Sequence, residues 1–433
     1  MGKRVPVSEV TRQRIREAME GRIEGFDRSE LIRLAAELII EEALEGEVTD
    51  VLGRKYYENG AIGGKGYRNG YRPGKLKTAE GLVCFSAPQV SDRDEPYRSR
   101  IKEHLKGQSE ELEKLAVELY ARGLSTRDIE AAFSDDLGQL LLSRSAVSRM
   151  TERLWEEYEA FASRDLSEYE VAYLFVDGVA ERLRPGQSRE AVLVAWCICM
   201  DGRKVLLHIM PGSREETESC RALFQDMKAR GLKDPLLTAT DGAPGLVRAV
   251  EECFVRSARQ RCLVHRMRNL ANKVPEDVWP EFRERARAAY QAPSREIARM
   301  LRDELVKTYQ RDLPTAVRCF EDDFEACIAH LRFPVNHRKA IRTTNLLERL
   351  FVEERRRLKI IPNAFGERPV LKLMYAALTR ASEKWRRISM SQLERRQLES
   401  IRKELDEEYR NKNQTKAAGV RNLNPSFSSN NKT

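Results

Sequence analysis

The 433-residue sequence predicts an α/β protein in which a mixed-sheet core is interrupted by a helical insertion and preceded by helical N-terminal regions. Three observations carry this reading. Apolar, strand-like runs at 171–176, 191–200 and 205–210 come first and then alternate with helical patterns as far as residue 264. Residues 276–335 turn purely helical, rich in Arg, Glu and Ala. Residues 10–52 and 110–161 carry helical spacing of apolar positions. At roughly 150 residues per domain the length suggests two to four units. A composition that is 41% hydrophobic and 33% charged excludes a disordered or fibrous chain.

From the N-terminus, Asp27-Arg28-Ser29-Glu30 reads as a capping-box-like helix start, followed by Leu31, Leu34, Ala35, Leu38, Ala43, Leu44, Val51 and Leu52 at helical spacing. Residues 53–77 hold seven glycines, seven Lys/Arg and four tyrosines against one acid, Glu58, and read as a flexible basic arm. Residues 81–90 resemble a short strand or extended piece before the charged run 91–100, where a boundary is expected. Three helices follow: 110–122 closed by Gly123, 126–133 opened by Ser125, and a longer one from about Ser143 into Trp155 and Tyr158. Their order suggests a helix-turn-helix, although the link 134–142 is longer than the compact motif's turn. Within the core, a helix at 215–230, a strand at 236–239, a helix at 244–253 and a strand near 260–264 are expected, with further helices at 345–358 and 369–386. The tail from Asn411 to Thr433, dominated by Asn, Ser, Lys and Thr, is expected to be disordered.

No run offers the ~20 apolar residues of a membrane span. The start, Met1 to Pro6, leads into polar helix and not into the apolar core of a signal peptide, so a cytoplasmic protein without a membrane partner is expected. Lys plus Arg number 77 against 68 Asp plus Glu, and the net +9 is compatible with a polyanionic partner without demanding one. Eight scattered cysteines make no disulfide framework.

Three acids stand where chemistry is expected. Asp177-Gly178 and Asp241-Gly242 each follow an apolar run that reads as a buried strand, and an ionised carboxylate there is costly unless paired, hydrogen-bonded or bound to a metal. Hard divalent cations take oxygen ligands of this kind, so the pair could hold Mg²⁺. Asp-Gly is also ordinary turn chemistry, and Asp241 could simply cap the next helix. Glu348 lies on a later helix, with Arg355 on the same face about two turns on, so that one face would present a metal ligand and a phosphate clamp. The competing reading takes Asn345-x-x-Glu348 as a capping box and the arginines as a solvated face.

At these residues the chain resembles a bacterial Mutator-type transposase of the insertion-sequence 256 family. The matching segments are Arg68-Asn69-Gly70-Tyr71-Arg72, Gly123-Leu124-Ser125-Thr126-Arg127-Asp128-Ile129, Asp177-Gly178, Thr240-Asp241-Gly242-Ala243, Cys262-Leu263-Val264-His265, Gln291-Ala292-Pro293, and Arg342-Thr343-Thr344-Asn345 through Glu348-Arg349. They occur in the family's order over roughly residues 25–390. The resemblance implies a ribonuclease-H-like core with the triad Asp177, Asp241 and Glu348, binding two Mg²⁺ (or Mn²⁺) ions. It implies nicking at transposon ends, then attack of the freed 3′-hydroxyl on target DNA. In-line displacement at phosphorus suits two metals held by such a cradle.

The expected organisation is therefore a helical N-terminal region with its basic arm at 1–100, a helix-turn-helix DNA-binding region at 101–165, a catalytic core at 166–270 and 336–400, a helical insertion at 271–335, and a charged helix end with a disordered tail at 401–433. Arg68, Asn69, Tyr71 and Arg72 of the arm, Arg144, Ser148 and Arg149 of the third helix, and Arg355 are the candidate DNA contacts. Plain helical packing and a solvated loop are their bland alternatives. Cys262 and His265 have the spacing of half a zinc site but no second half. They read as supporting residues with Asn345, His265 orienting a phosphate or a carboxylate, or serving as a structural histidine. The expected partners are transposon-end and target DNA and a second copy of the chain, in a homodimer or higher homo-oligomer of a bacterial, nucleoid-associated protein. The alternative function is a DNA-binding protein without catalysis, a repressor or inactive transposase descendant; a third is a structure-specific nuclease.

Overall fold

The computed structural model describes the chain except residues 1–4, 24–25, 59–65, 94, 135–139, 182, 184–188, 213–215, 347–350, 353–365 and 422–433. It divides into two units, Met1–Arg153 and Leu154–Thr433.

The first unit begins with α1 (Val7–Met19) and α2 (Arg28–Leu52). The expected cap is in place: the Asp27 carboxylate accepts the Glu30 amide, and Gly53 ends α2 in the left-handed conformation. The segment read as a flexible arm is, from Tyr67 on, a strand. β1 (Tyr67–Thr78) pairs antiparallel with β2 (Gly81–Ser91) through a two-residue turn. Its Arg, Lys and Gly residues have no apolar alternation of their own, because its face is half exposed and the buried partners come from β2 (Val83, Phe85, Ala87) and from Leu44 of α2. Past α3 (Arg100–His104), the Lys77 carbonyl accepts from the Ser109 amide, so hydrogen bonding continues across the boundary expected near residue 100. α4 (Glu110–Ala121), α5 (Thr126–Ala132) and α6 (Arg144–Ser163) follow, the second with a full capping box between Ser125 and Asp128.

The second unit is organised by β3 (Val171–Glu181), whose residues Val171 to Asp177 are all buried. β4 (Glu190–Cys199) and β5 (Lys204–Pro211) add antiparallel on one side, β6 (Leu237–Thr240) and β7 (Ala258–Arg261) parallel on the other, giving the order β5-β4-β3-β6-β7. Both sheet faces are covered, which is why β3 reads as a continuous apolar run. Leu174 and Val176 pack against α7 (Glu216–Ala229) and α8 (Pro244–Cys253). Tyr173, Phe175 and Ala239 form the other face, where Phe175 stacks on Trp196 at 4.0 Å between ring centroids.

From α9 (Leu263–Ala271) the chain enters the helical insertion: α10 (Trp279–Tyr290), α11 (Arg295–Tyr309), α12 (Pro314–Glu321) and α13 (Phe324–Cys327) build a core of their own around Phe282, Tyr290, Phe320 and Phe324. Polar contacts fix the insertion to the edge strand: Arg259 grips Asp323 with both guanidinium nitrogens, and Gln260 reaches the Cys327 carbonyl and the His330 amide. α14 (Val335–Ile341), α15 (Glu367–Ser382) and α16 (Gln392–Arg421) return to the Tyr173–Phe175 face through Ile341, Met374, Leu398 and Ile401. The expected disordered tail is thus helical as far as Arg421, because α16 is anchored by buried Leu398, Ile401 and Leu405 and simply runs on. Among the described residues no helix is long and apolar enough to cross a membrane.

Candidate active site

Asp177 and Asp241 meet on neighbouring strands. The last parallel pair between β3 and β6 is Val176–Thr240, and each aspartate is the next residue. Such strands stand about 4.8 Å apart. Asp177 is not at a strand tip as expected: β3 runs on to Glu181, because β4 continues to pair with it beyond the end of β6. Period-two alternation puts both acids on the Tyr173–Phe175–Ala239 face.

Asp177 is only 4% exposed. Burial pushes its carboxyl up to about 6, and the Asp241 charge pushes the same way. His265 and hydrogen bonds from the Gly178 amide (2.9 Å) and the Thr344 hydroxyl pull it back. Asp241 is half-buried and accepts the Ala243 amide at 2.8 Å, which shapes the turn into α8. Between them Gly242 has φ +90°, and a Cβ there would stand 2.5 Å from the Arg261 Nε, so no other residue fits this turn without displacing Arg261.

The Cys262–His265 segment closes the site from β7. The Cys262 amide bonds the Thr240 carbonyl at 2.8 Å, and the Leu263 amide bonds Arg342 at 3.0 Å. The Cys262 sulfur accepts from the Thr344 amide (3.3 Å) and hydroxyl (3.4 Å). Burial alone would raise this thiol, but hydrogen bonds from His265 and Thr344 outweigh it and bring it below its ordinary value. Thr344, fully buried, is a residue the sequence reading passed over; its only signal was its place in the Arg342–Asn345 segment. Asn345, next to it, is half-buried. Glu348 and Arg355 lie outside the described residues, but Leu346 and Phe351 on either side of Glu348 pack on the same face as the two aspartates. Among the described residues no three His, Cys, Asp or Glu side chains gather to hold a metal ion.

The remaining candidates lie in the first unit. Arg68 is turned inward, donating to Thr49, Arg54 and Lys55 oxygens at 3.0–3.3 Å and lying over the Tyr56 ring. The Tyr71 hydroxyl donates to Glu45 at 2.9 Å and accepts the Val7 amide. These two fasten β1 to α1 and α2. Asn69 and Arg72 are exposed on β1; Ser148 and Arg149 are exposed on α6, where Arg144 pairs with Glu130 at 2.8 Å.

A family model described as "Transposase, Mutator family" matches residues 8–388. The transposase for insertion sequence element ISRM5 of Rhizobium meliloti is 30% identical over 359 residues, 82% of this chain and 88% of that protein. The transposase for element IS6120 of Mycolicibacterium smegmatis is 32% identical over 280 residues, 64% of this chain and 85% of its own. The transposase for IS256 in transposon Tn4001 of Staphylococcus aureus is 27% identical over 351 residues, 80% and 89% of the two chains. With two acids brought together on one sheet face and a family match that runs through both units, the chain belongs to the Mutator family of transposases.

Proposed function

We propose that this chain is a DNA transposase that binds the terminal inverted repeats of its element and catalyses metal-dependent DNA cleavage and strand transfer through Asp177, Asp241 and Glu348. The observation that carries the reading is the side-by-side placement of Asp177 and Asp241, one of them buried where an ionised carboxylate is costly. Three antiparallel strands followed by two parallel ones, in the order β5-β4-β3-β6-β7, support a ribonuclease-H-like core.

The donors suit Mg²⁺ or Mn²⁺: they are hard carboxylate oxygens, and the raised Asp177 carboxyl is a group that a cation would relieve. Asp177, Asp241 and Glu348 would hold two such ions, which when bound supply activation of the attacking oxygen and stabilisation of the departing one. The chain's own groups do the rest. Thr344 and Gly178 orient Asp177; the Asp241–Ala243 bond orients Asp241; His265, whose charge acts on Asp177, would orient a phosphate; Gly242 lets Arg261 lie close behind the turn. Helices α4 to α6 act as a helix-turn-helix, with Ser148 and Arg149 facing DNA and Arg144 reaching it from its Glu130 pair, while Asn69 and Arg72 of β1 contact phosphates. Arg68 and Tyr71 serve mainly to hold that strand, and Arg355 is proposed as a phosphate clamp.

The test is end-containing DNA incubated with Mg²⁺ and scored for nicked and joined products. Asp177→Asn, Asp241→Asn and Glu348→Gln should each lose products while retaining binding. Full activity in any of them refutes the triad. Binding that needs no metal and gives no breakage identifies a DNA-binding protein instead, and cleavage without joining a nuclease.

A further inference from the structure

The outward face of α2 is built in a way a single chain does not explain. Of its exposed residues, Arg28, Ile32, Ile39, Ala43, Gly46 and Asp50 form one stripe with Ile32, Ile39 and Gly46 seven residues apart, while Glu42 at its edge pairs with Arg12 of α1 and Val51 lies off it. Ile39 is 66% exposed and Ile32 50%. The opposite face buries Leu34, Leu44 and Val48 together with Glu41, so the exposed isoleucines lie outside the face by which α2 packs on its own unit. Gly46 weakens the helix interior, yet a side chain there would meet nothing within 4 Å. Arg28 at the N-terminus and Asp50 in the last turn both oppose the helix dipole and have no ion pair among the described residues.

We infer that this stripe docks a second copy of the chain, the two α2 helices packing antiparallel about a two-fold axis at Ile39. In a self-complementary pair, residues equidistant from the axis meet. Ile32 then fills the space over Gly46, Ala35 meets Ala43, and Arg28 meets Asp50. Charge selects this arrangement, since a parallel pair would set Arg28 against Arg28 and Asp50 against Asp50. The same pairing places each end charge beside its opposite and so offsets both dipole conflicts. One helix pair about 37 Å long lies at the small end of specific interfaces, below about 1,200 Å², so the association is reversible and concentration-dependent.

The test is sedimentation velocity of the full chain without DNA, from about 1 to 100 μM, a range suited to a weak, transient interface. A monomer–dimer equilibrium is expected. Asp50→Arg or Arg28→Asp alone should weaken it by roughly tenfold, and the double charge swap should restore it. Gly46→Leu should abolish it with an unchanged or higher thermal midpoint, which separates lost docking from lost folding. A chain monomeric throughout the range overturns the inference. So does a dimer indifferent to Gly46→Leu, or one that the double swap fails to restore.

Discussion

Asp177→Asn should stabilise the metal-free protein, and by an amount that depends on pH. The folded carboxyl titrates near 6 against an ordinary 3.8, so between those values the folded state binds the proton more tightly than the unfolded state. The contribution of this group to stability is therefore fully present below 3.8 and is lost as pH rises through about 6. At about 1.4 kcal/mol per pH unit, ionising it inside the fold costs on the order of 3 kcal/mol at pH 8. An asparagine oxygen can still accept the Gly178 amide, so the substitution removes the charge without stranding that donor. We expect a gain of about 1–3 kcal/mol at pH 8 that shrinks towards zero near pH 4. Urea unfolding in EDTA followed by tryptophan fluorescence measures it, because Trp155, Trp196, Trp279 and Trp385 all lie in the second unit. Added Mg²⁺ should narrow the difference by stabilising the parent alone. A variant no more stable than the parent at pH 8, or a gain of equal size at pH 4, would refute the argument that burial of the charge dominates this site.

Cys262→Ala leaves the buried Thr344 amide without its acceptor, while the Thr344 hydroxyl keeps Asp177, and should cost about 1–3 kcal/mol in urea unfolding, whereas Cys262→Ser should recover part of it. Gly242→Ala must carry both φ +90° and a close contact with Arg261; a loss of about 1–3 kcal/mol together with reduced strand cleavage is expected from melting and nicking assays. Asp323→Ala takes the two-nitrogen partner from Arg259, whose side chain is largely buried, and leaves it Glu251 at 3.4 Å; it should destabilise the second unit by about 2–3 kcal/mol, seen as earlier proteolysis of the insertion. Burial and the nearby Arg342 and Arg338 hold the His330 ring down to about 3. Its contribution is complete above the ordinary 6.5 and lost as pH falls through about 3, so His330→Gln should flatten the acid limb of the stability–pH curve.

The sequence by itself determined the elements whose cause is local. Apolar runs placed β3, β4 and β5, cap residues such as Asp27 and Ser125 placed α2 and α5, and the long Arg- and Glu-rich stretch placed the helical insertion. The two aspartates were also visible there, because an acid directly after a buried run is conspicuous. Tertiary structure decided everything that depends on residues distant in the chain. β1 forms because β2 and α2 supply the apolar partners that its own residues lack. Arg68 and Tyr71, which as letters look like nucleic-acid contacts, face inward because Glu45 and the oxygens of Thr49, Arg54 and Lys55 are waiting for them. Asp177 and Asp241 become one site only through the parallel register of β3 and β6, and Thr344 joins it only because the chain returns past Cys262 after the insertion. Periodicity and capping act over a few residues and can be read along the chain; hydrogen-bond partners and shared burial between residues from 13 to 82 positions apart can be read only from the fold.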